Sequence, residues 1–320
     1  MPPRYIRNTT VLAKIEAVYG TDSIPTGAAN AILVSDVSIE DVPQNVARDL
    51  IRSWMGASEE LVGNKYIKIT MTVELQNGGT AGTAPAWSPL IRACAAAESA
   101  LLTPARVEYT PVTTGHESTS IYYFMDGVLH KALGAKGNPE FGLGIGKRPT
   151  MKLQFVALDG GISADVPTGV SFSGFKTPLV VTDSNVSQFL LGCSYAAGAL
   201  TGGAAAVSQG LDFSSGTEAK FVPKLNGNSV DISNRAGTGK LTLELDAAAE
   251  VAMKAAIDAN TLTSIGMKLG ATAGYTVMAF LPSVQRTNPK YEEVDGLAML
   301  GMDLRLIPAA GNDEWRLILL

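Results

Sequence analysis

Residues 65–75 read Lys-Tyr-Ile-Lys-Ile-Thr-Met-Thr-Val-Glu-Leu, and this stretch decides the fold. Ile67, Ile69, Met71, Val73 and Leu75 alternate with Tyr66, Lys68, Thr70, Thr72 and Glu74, the period-2 signature of a strand with one buried and one wet face. A shorter version recurs at Lys240–Leu245, where Leu241, Leu243 and Leu245 alternate with Lys240, Thr242 and Glu244. Both stretches close on Thr, an apolar residue, Glu and Leu, and a helix pattern follows each. The repetition marks an internal duplication. The expected fold is mainly β with a minor α component: two tandem β-sandwich or half-barrel units, each flanked by a helix.

Composition narrows the function. The 320 residues suffice for two units, each with its own core. A formal charge of -5 argues against a dedicated binder of the nucleic-acid backbone, which would show a basic surface. Cys94 and Cys193 are the only cysteines, so no disulfide framework is expected. The first ten residues lack the apolar run of a signal peptide, and no window approaches the ~18 apolar residues of a membrane span, so a soluble, cytoplasmically made protein is expected. Thirty-three glycines and only 17% charged residues suit a β-rich chain with many turns whose surface is covered by an assembly.

Outward from the organising strand, residues 1–30 read as an N-terminal arm, 31–159 as the first unit, 160–178 as a Gly/Ser/Pro-rich linker and 179–320 as the second unit with a C-terminal tail. Ala31–Val42 is a strand ended by Pro43. The polar stretch Gln44–Asn64 then separates two strands by an unusual distance, which points to function. It holds Arg48, Asp49, Arg52, Glu59 and Glu60 around Trp54 and Met55, a mixture suited to contact with another chain.

Pro85 introduces a helix with Trp87, Leu90, Ile91, Cys94 and Ala95 on one stripe, which makes Cys94 a small buried hydrophobe. Asp126-Gly127 between Ser118–Met125 and Val128–Leu133 predicts a type I′ hairpin. Asp246 caps a helix over Ala247–Ala259, with Ala248, Val251, Ala252 and Ala255 expected inward and Glu250, Lys254 and Asp258 outward.

Motifs that resemble catalytic or phosphate-binding sequences fail on inspection. Gly142, Gly144, Gly146 and Lys147 lack the first Gly and the Ser or Thr of a phosphate loop, and Gly237–Lys240 leads into a strand where a helix is required. His116 and His130 have no second ligand at helical or turn spacing, and no Gly-x-Ser-x-Gly elbow surrounds a serine. No enzyme activity, cofactor or metal is expected.

The runs Ala17-Val18-Tyr19-Gly20-Thr21-Asp22, Ala28–Leu33, Ala84-Pro85-Ala86-Trp87, Asp126–His130 and Asp295–Met299 leading into Met302–Arg305 resemble the major tail tube proteins of long, non-contractile-tailed bacteriophages. The resemblance spans nearly the whole chain. It implies two nearly orthogonal sheets with a flanking helix per unit, assembled as stacked rings in the virion tail. Many relatives have one such unit and form hexamers; members that fuse two units close as trimers with pseudo-sixfold symmetry, the arrangement expected here. A tape measure protein, a tail terminator and distal tail proteins are the implied partners, with DNA passing through the lumen without specific binding.

Physics leads the same way, because closing amphipathic sheets of several subunits into one barrel removes unpaired edges. Lys68, Thr70, Thr72, Glu74, Thr242 and Glu244 are then expected to line a net acidic lumen. The Gln44–Asn64 stretch, its counterpart near Gly216–Ala236 and the arm are the candidates for contacts between rings. Competing readings are a capsid decoration or baseplate protein of two β-units, and a carbohydrate-binding adhesin with Trp54, Trp87 and Trp315 as platforms.

Overall fold

The structure, a computed structural model, describes residues 3–99 and 102–320; Met1 and Pro2 of the expected arm lie outside them. Its elements are β1 (Thr9–Ile15), α1 (Gly27–Asn30), β2 (Ala31–Ile32), β3 (Asp36–Pro43), β4 (Lys65–Glu74), α2 (Ser88–Arg92), β5 (Ala96–Ser99), β6 (Val107–Pro111), β7 (Thr119–Met125), β8 (Val128–Gly144) and β9 (Thr150–Ala164) in the first half. The second half holds β10 (Val186–Ala196), β11 (Ala199–Ala205), β12 (Val207–Ser214), β13 (Thr217–Val222), β14 (Ser229–Arg235), β15 (Thr238–Glu244), α3 (Ala247–Asp258), β16 (Thr263–Leu269), β17 (Val277–Val294), β18 (Leu297–Leu306) and β19 (Arg316–Leu319). The fold is mainly β, as the alternating stretches require.

β4 is buried at Ile67, Ile69, Met71 and Val73 and open at the residues between, and β15 buries Leu241 and Leu243 in the same way. Asp126 and Gly127 both take positive φ, 46° and 86°, which a type I′ turn demands. β1 pairs along its whole length with β7, so this part of the N-terminal segment is a strand of the first half. Seventeen strands from both halves form one hydrogen-bonded sheet, and β13–β14 form a separate hairpin. A single buried cluster runs through both halves, with Trp87, Trp315, Tyr109, Phe141 and Phe155 among its largest members. Between β9 and β10, residues 165–185 carry no strand or helix.

Two local expectations need correction. α2 is a single turn and a half, far shorter than its apolar stripe suggested, although Trp87, Leu90, Ile91 and Cys94 are fully buried. α3 forms where expected, and Asp246 Oδ1 accepts from Ala249 N at 2.7 Å, but the helix faces the other way. Ala248, Val251, Ala252 and Ala255 point to solvent, while Glu250 and Lys254 turn toward β17 and bond the Tyr291 hydroxyl. Alanines bury so little apolar area that Met253, which packs against the core, and the polar anchor at Tyr291 set the orientation.

Candidate functional site

The halves meet at a seam of paired strands. β12 runs antiparallel to the second part of β8, with Leu211 opposite Leu143, Asp212 opposite Gly142, Phe213 opposite Phe141 and Ser214 opposite Glu140. Phe141 stacks on Phe213 with centroids 4.6 Å apart and also meets Trp315 at 5.5 Å. Asn138 donates to Ser214 Oγ at 2.9 Å and accepts from Thr217 N at 2.8 Å, while Ser215 N donates to Pro139 O at 3.1 Å. Gly210 holds φ +113°, and a Cβ there would lie 2.4 Å from Leu143 O, so the seam admits only glycine at that point. A second tie lies elsewhere: β19 pairs with β6, and Glu108 on β6 accepts from Tyr195 on β10 and Arg316 on β19.

The seam creates a continuous eight-stranded face in the order β3-β4-β9-β8-β12-β15-β18-β17. Its two halves have the same internal order: first strand, second, last and penultimate. The penultimate strand of the first half, β8, therefore joins the first strand of the second, β12. Along this face β3 pairs only with β4, and Lys290–Val294 of β17 pair only with β18 among the described residues. Both outer edges are open. Asn138-Pro139-Glu140-Phe141 on β8 and Asn288-Pro289-Lys290-Tyr291 on β17 repeat one Asn-Pro-charged-aromatic pattern, a second repeat beside the strand words at 72–75 and 242–245 that sequence reading overlooks.

Lys68, Thr70, Thr72 and Glu74 share one side of this face with Thr242 and Glu244, opposite the apolar core. One cross-strand row runs Thr72, Lys152, Glu140, Ser214, Thr238 and Arg305 through both halves. Along these strands the side carries eight carboxylates (Asp36, Glu40, Glu74, Glu140, Asp212, Glu244, Glu292 and Asp303), the open cations Lys68, Lys152, Lys240, Lys290 and Arg305, and the buried Lys136, while Lys147 and Arg148 between β8 and β9 line its centre. Lys240 stands between Asp212 and Asp303, and Lys152 beside Glu140, so opposite charges are interleaved across neighbouring strands, and the centre of the face carries more cations than carboxylates. The centre of the face is a concave trough of about 1020 Å³ crossing the seam.

The 44–64 stretch is a hairpin arm that continues the β3–β4 ladder away from the body. Val46 bridges Leu61, Gln44 N donates to Asn64 O at 2.7 Å, and Arg48 pairs with Glu59, which Arg52 approaches at 3.7 Å. Asn45 donates to Glu60 at 3.1 Å, and Asp49 is exposed. At the tip Trp54 is 68% and Met55 101% exposed, apolar surface with nothing on it in a single chain. Its counterpart β13–β14 behaves differently. That hairpin folds over the first half, where Phe221 stacks on Tyr66 at 5.0 Å, Val230 exchanges bonds with the Tyr19 hydroxyl, and Asp231 meets Lys136 at 3.7 Å. Burial holds the Lys136 ammonium below the usual lysine range, with Asp231 partly offsetting it.

Of the three tryptophans, Trp87 and Trp315 are fully buried, so only Trp54 is placed to meet a partner. Burial pushes the Cys94 thiol well above its ordinary range, the behaviour of an inert core cysteine. Among the described residues no three His, Cys, Asp or Glu side chains gather as metal ligands, and no helix is long and apolar enough to cross a membrane.

A search of curated proteins finds no match to the chain. The family profile described as phage tail tube protein, in contrast, matches residues 6–305, almost the entire sequence and both halves of the shared face. A structural role in the virion tail follows from the family, and this chain belongs to the phage tail tube proteins.

Proposed function

We propose that the chain closes into trimeric, pseudo-hexameric rings and that these rings stack into the tail tube through which phage DNA is ejected. The observation that carries this reading is the open edge at each end of the eight-stranded face. Inside one chain a β8-type edge already joins a β12-type edge, and the outer edges are of the same two types. Such a contact is head-to-tail, and repetition around an axis closes it into a ring without leaving unpaired strands. Two units per chain make three chains the counterpart of a six-unit ring.

The polar side of the face is then the lumen wall, with Lys68, Thr70, Thr72, Glu74, Thr242 and Glu244 on it. Carboxylates on neighbouring strands, such as Asp212 and Asp303 beside Lys240, occupy its cations and weaken their hold on the DNA backbone, so that no strong salt-dependent brake opposes ejection. The hairpin arm, with Arg48, Asp49, Arg52, Trp54, Met55, Glu59 and Glu60, reaches the next ring. Assembly takes place in the host cytoplasm, and the tape measure, tail terminator and distal tail proteins meet the tube at its inside and its ends. Negative-stain microscopy of the purified full chain tests this: hollow rods or rings are expected, and a monodisperse monomer at high concentration overturns it.

A further inference from the structure

The internal seam fixes more than the existence of a contact between copies; it fixes its register. We propose that, in the ring, the Asn288–Val294 edge of one copy pairs antiparallel with the Asp36–Val42 edge of the next, setting Tyr291 opposite Ile39 and Lys290 opposite Glu40. This inference rests on the ring-forming reading above and adds which residues meet.

The correspondence comes from two independent sequence repeats. The words ending β4 and β15 equate Thr72 with Thr242, hence Met71 with Leu241. Val37 lies opposite Met71 as Leu211 lies opposite Leu241, so Ile39 stands for Phe213, Glu40 for Ser214 and Asp41 for Ser215. On the other edge, the Asn-Pro pattern equates Tyr291 with Phe141, Lys290 with Glu140 and Pro289 with Pro139. β17 holds this alignment against its own partner, since Tyr291 pairs with Leu300 as Phe141 pairs with Met151. Transferring Phe141–Phe213 and Glu140–Ser214 from the seam gives Tyr291–Ile39 and Lys290–Glu40.

Charge supports that register and penalises its neighbours. Lys290 and Glu40 are both exposed in the single chain, and in this alignment they become an opposite-sign cross-strand pair. A slip of one residue would turn every apolar side chain of β3 to the lumen. A slip of two would place Lys290 against Ser38 or Val42 and lose the pair.

Arg286 supplies a third observation. It is 7% exposed on the core side of β17, forms no ion pair among the described residues, and its Nε is buried without a partner there. Its other nitrogens reach only Thr261 O at 3.3 Å and the Met253 sulfur at 2.7 Å. Desolvation lowers its pKa, as expected of a cation lacking a counter-ion. In the proposed register Asp41 lies on the core side of the incoming edge, opposite Pro289 and three residues from Arg286 across the bulge between Thr287 and Lys290, a span a long side chain can bridge. The neighbour's carboxylate thus meets a guanidinium without a counter-ion among the described residues of its own chain.

The test is cross-linking in the full chain, whose own Cys94 and Cys193 are buried. With Ile39→Cys and Tyr291→Cys together, mild oxidation of assembled protein is expected to give covalent dimers and trimers. The yield should exceed that of the offset pair Val37→Cys with Tyr291→Cys by about tenfold, because diagonal positions lie beyond disulfide reach. In parallel, Glu40→Lys and Lys290→Glu are each expected to block assembly of a folded monomer, and the two combined to restore it. Normal tubes with equal cross-linking of both pairs, or a charge-swapped double variant no better than either single one, overturn the register while leaving the tube reading intact. Wild-type protein that forms no rings overturns both.

Discussion

Phe141 and Phe213 stack face to face across the seam between the two halves, and Trp315 closes the third side of the same aromatic contact. Both phenylalanines are essentially buried, so removing one leaves a cavity in the middle of the shared core. Phe213→Ala is expected to cost about 3–5 kcal/mol, read as a lowered denaturation midpoint. Because one cluster spans both halves, the loss should appear as one cooperative transition shifted as a whole.

Gly210 tests the seam from the backbone side. Its positive φ and the 2.4 Å approach of a would-be Cβ to Leu143 O leave no room for alanine without parting the strands. Gly210→Ala should destabilise by about 1–3 kcal/mol or more, measured by urea unfolding. Gly115, with a positive φ but open space, is the control, and substitution there should cost only the smaller conformational penalty.

Stability should fall in acid through Glu108. Burial raises its pKa, but the hydrogen bonds from Tyr195 and Arg106 and the charge of Arg316 outweigh that and hold it below the ordinary glutamate range. A folded-state pKa below the unfolded one gives stabilisation that is complete above the unfolded value, about 4.3, and is lost as pH falls through the folded one. Glu108→Gln should therefore flatten the acid limb of the stability profile. It should also weaken the fold by about 3 kcal/mol at neutral pH, since Arg106 and Arg316 lose their shared counter-ion.

The arm should be separable from the fold. Deleting Asp49–Glu59 or introducing Trp54→Ala removes only exposed groups, so unfolding free energy should change by less than about 0.5 kcal/mol. Tube growth should nevertheless stop, and long tubes of the deletion variant in micrographs would count against a role between rings. Trp54 also offers a direct readout. In the monomer acrylamide should quench it and spare Trp87 and Trp315, and assembly should protect it.

The sequence displayed the parts of this molecule that depend on neighbours in the chain. Ile67 to Leu75 announced a half-buried strand through alternation alone, Asp126-Gly127 announced its turn, and Asp246 announced its cap. What it concealed depends on distant partners. The α3 face is hidden in the sequence because its alanines carry little apolar weight, Met253 finds the core, and Tyr291, far along the chain, anchors Glu250 and Lys254. The β13–β14 hairpin reads as a polar loop, since Phe221 and Val230 find their partners only on the other half, at Tyr66 and Tyr19. The seam shows in the sequence as the repeated Asn-Pro-charged-aromatic pattern, whose spacing differs from that of the strand words because the intervening loops differ.

Joining β8 to β12 within one polypeptide also changes what each junction must tolerate. A tethered pair meets at an effective concentration in the millimolar range and never exists apart in solution, so it is free to be greasy, as Phe141, Phe213, Leu143 and Leu211 are. The outward edges must survive alone in a crowded cell before a partner arrives, and they carry Glu40, Asp41, Lys290, Glu292 and Glu293 instead. The inner junction is thus built for permanence, while the outward edges are built for patience.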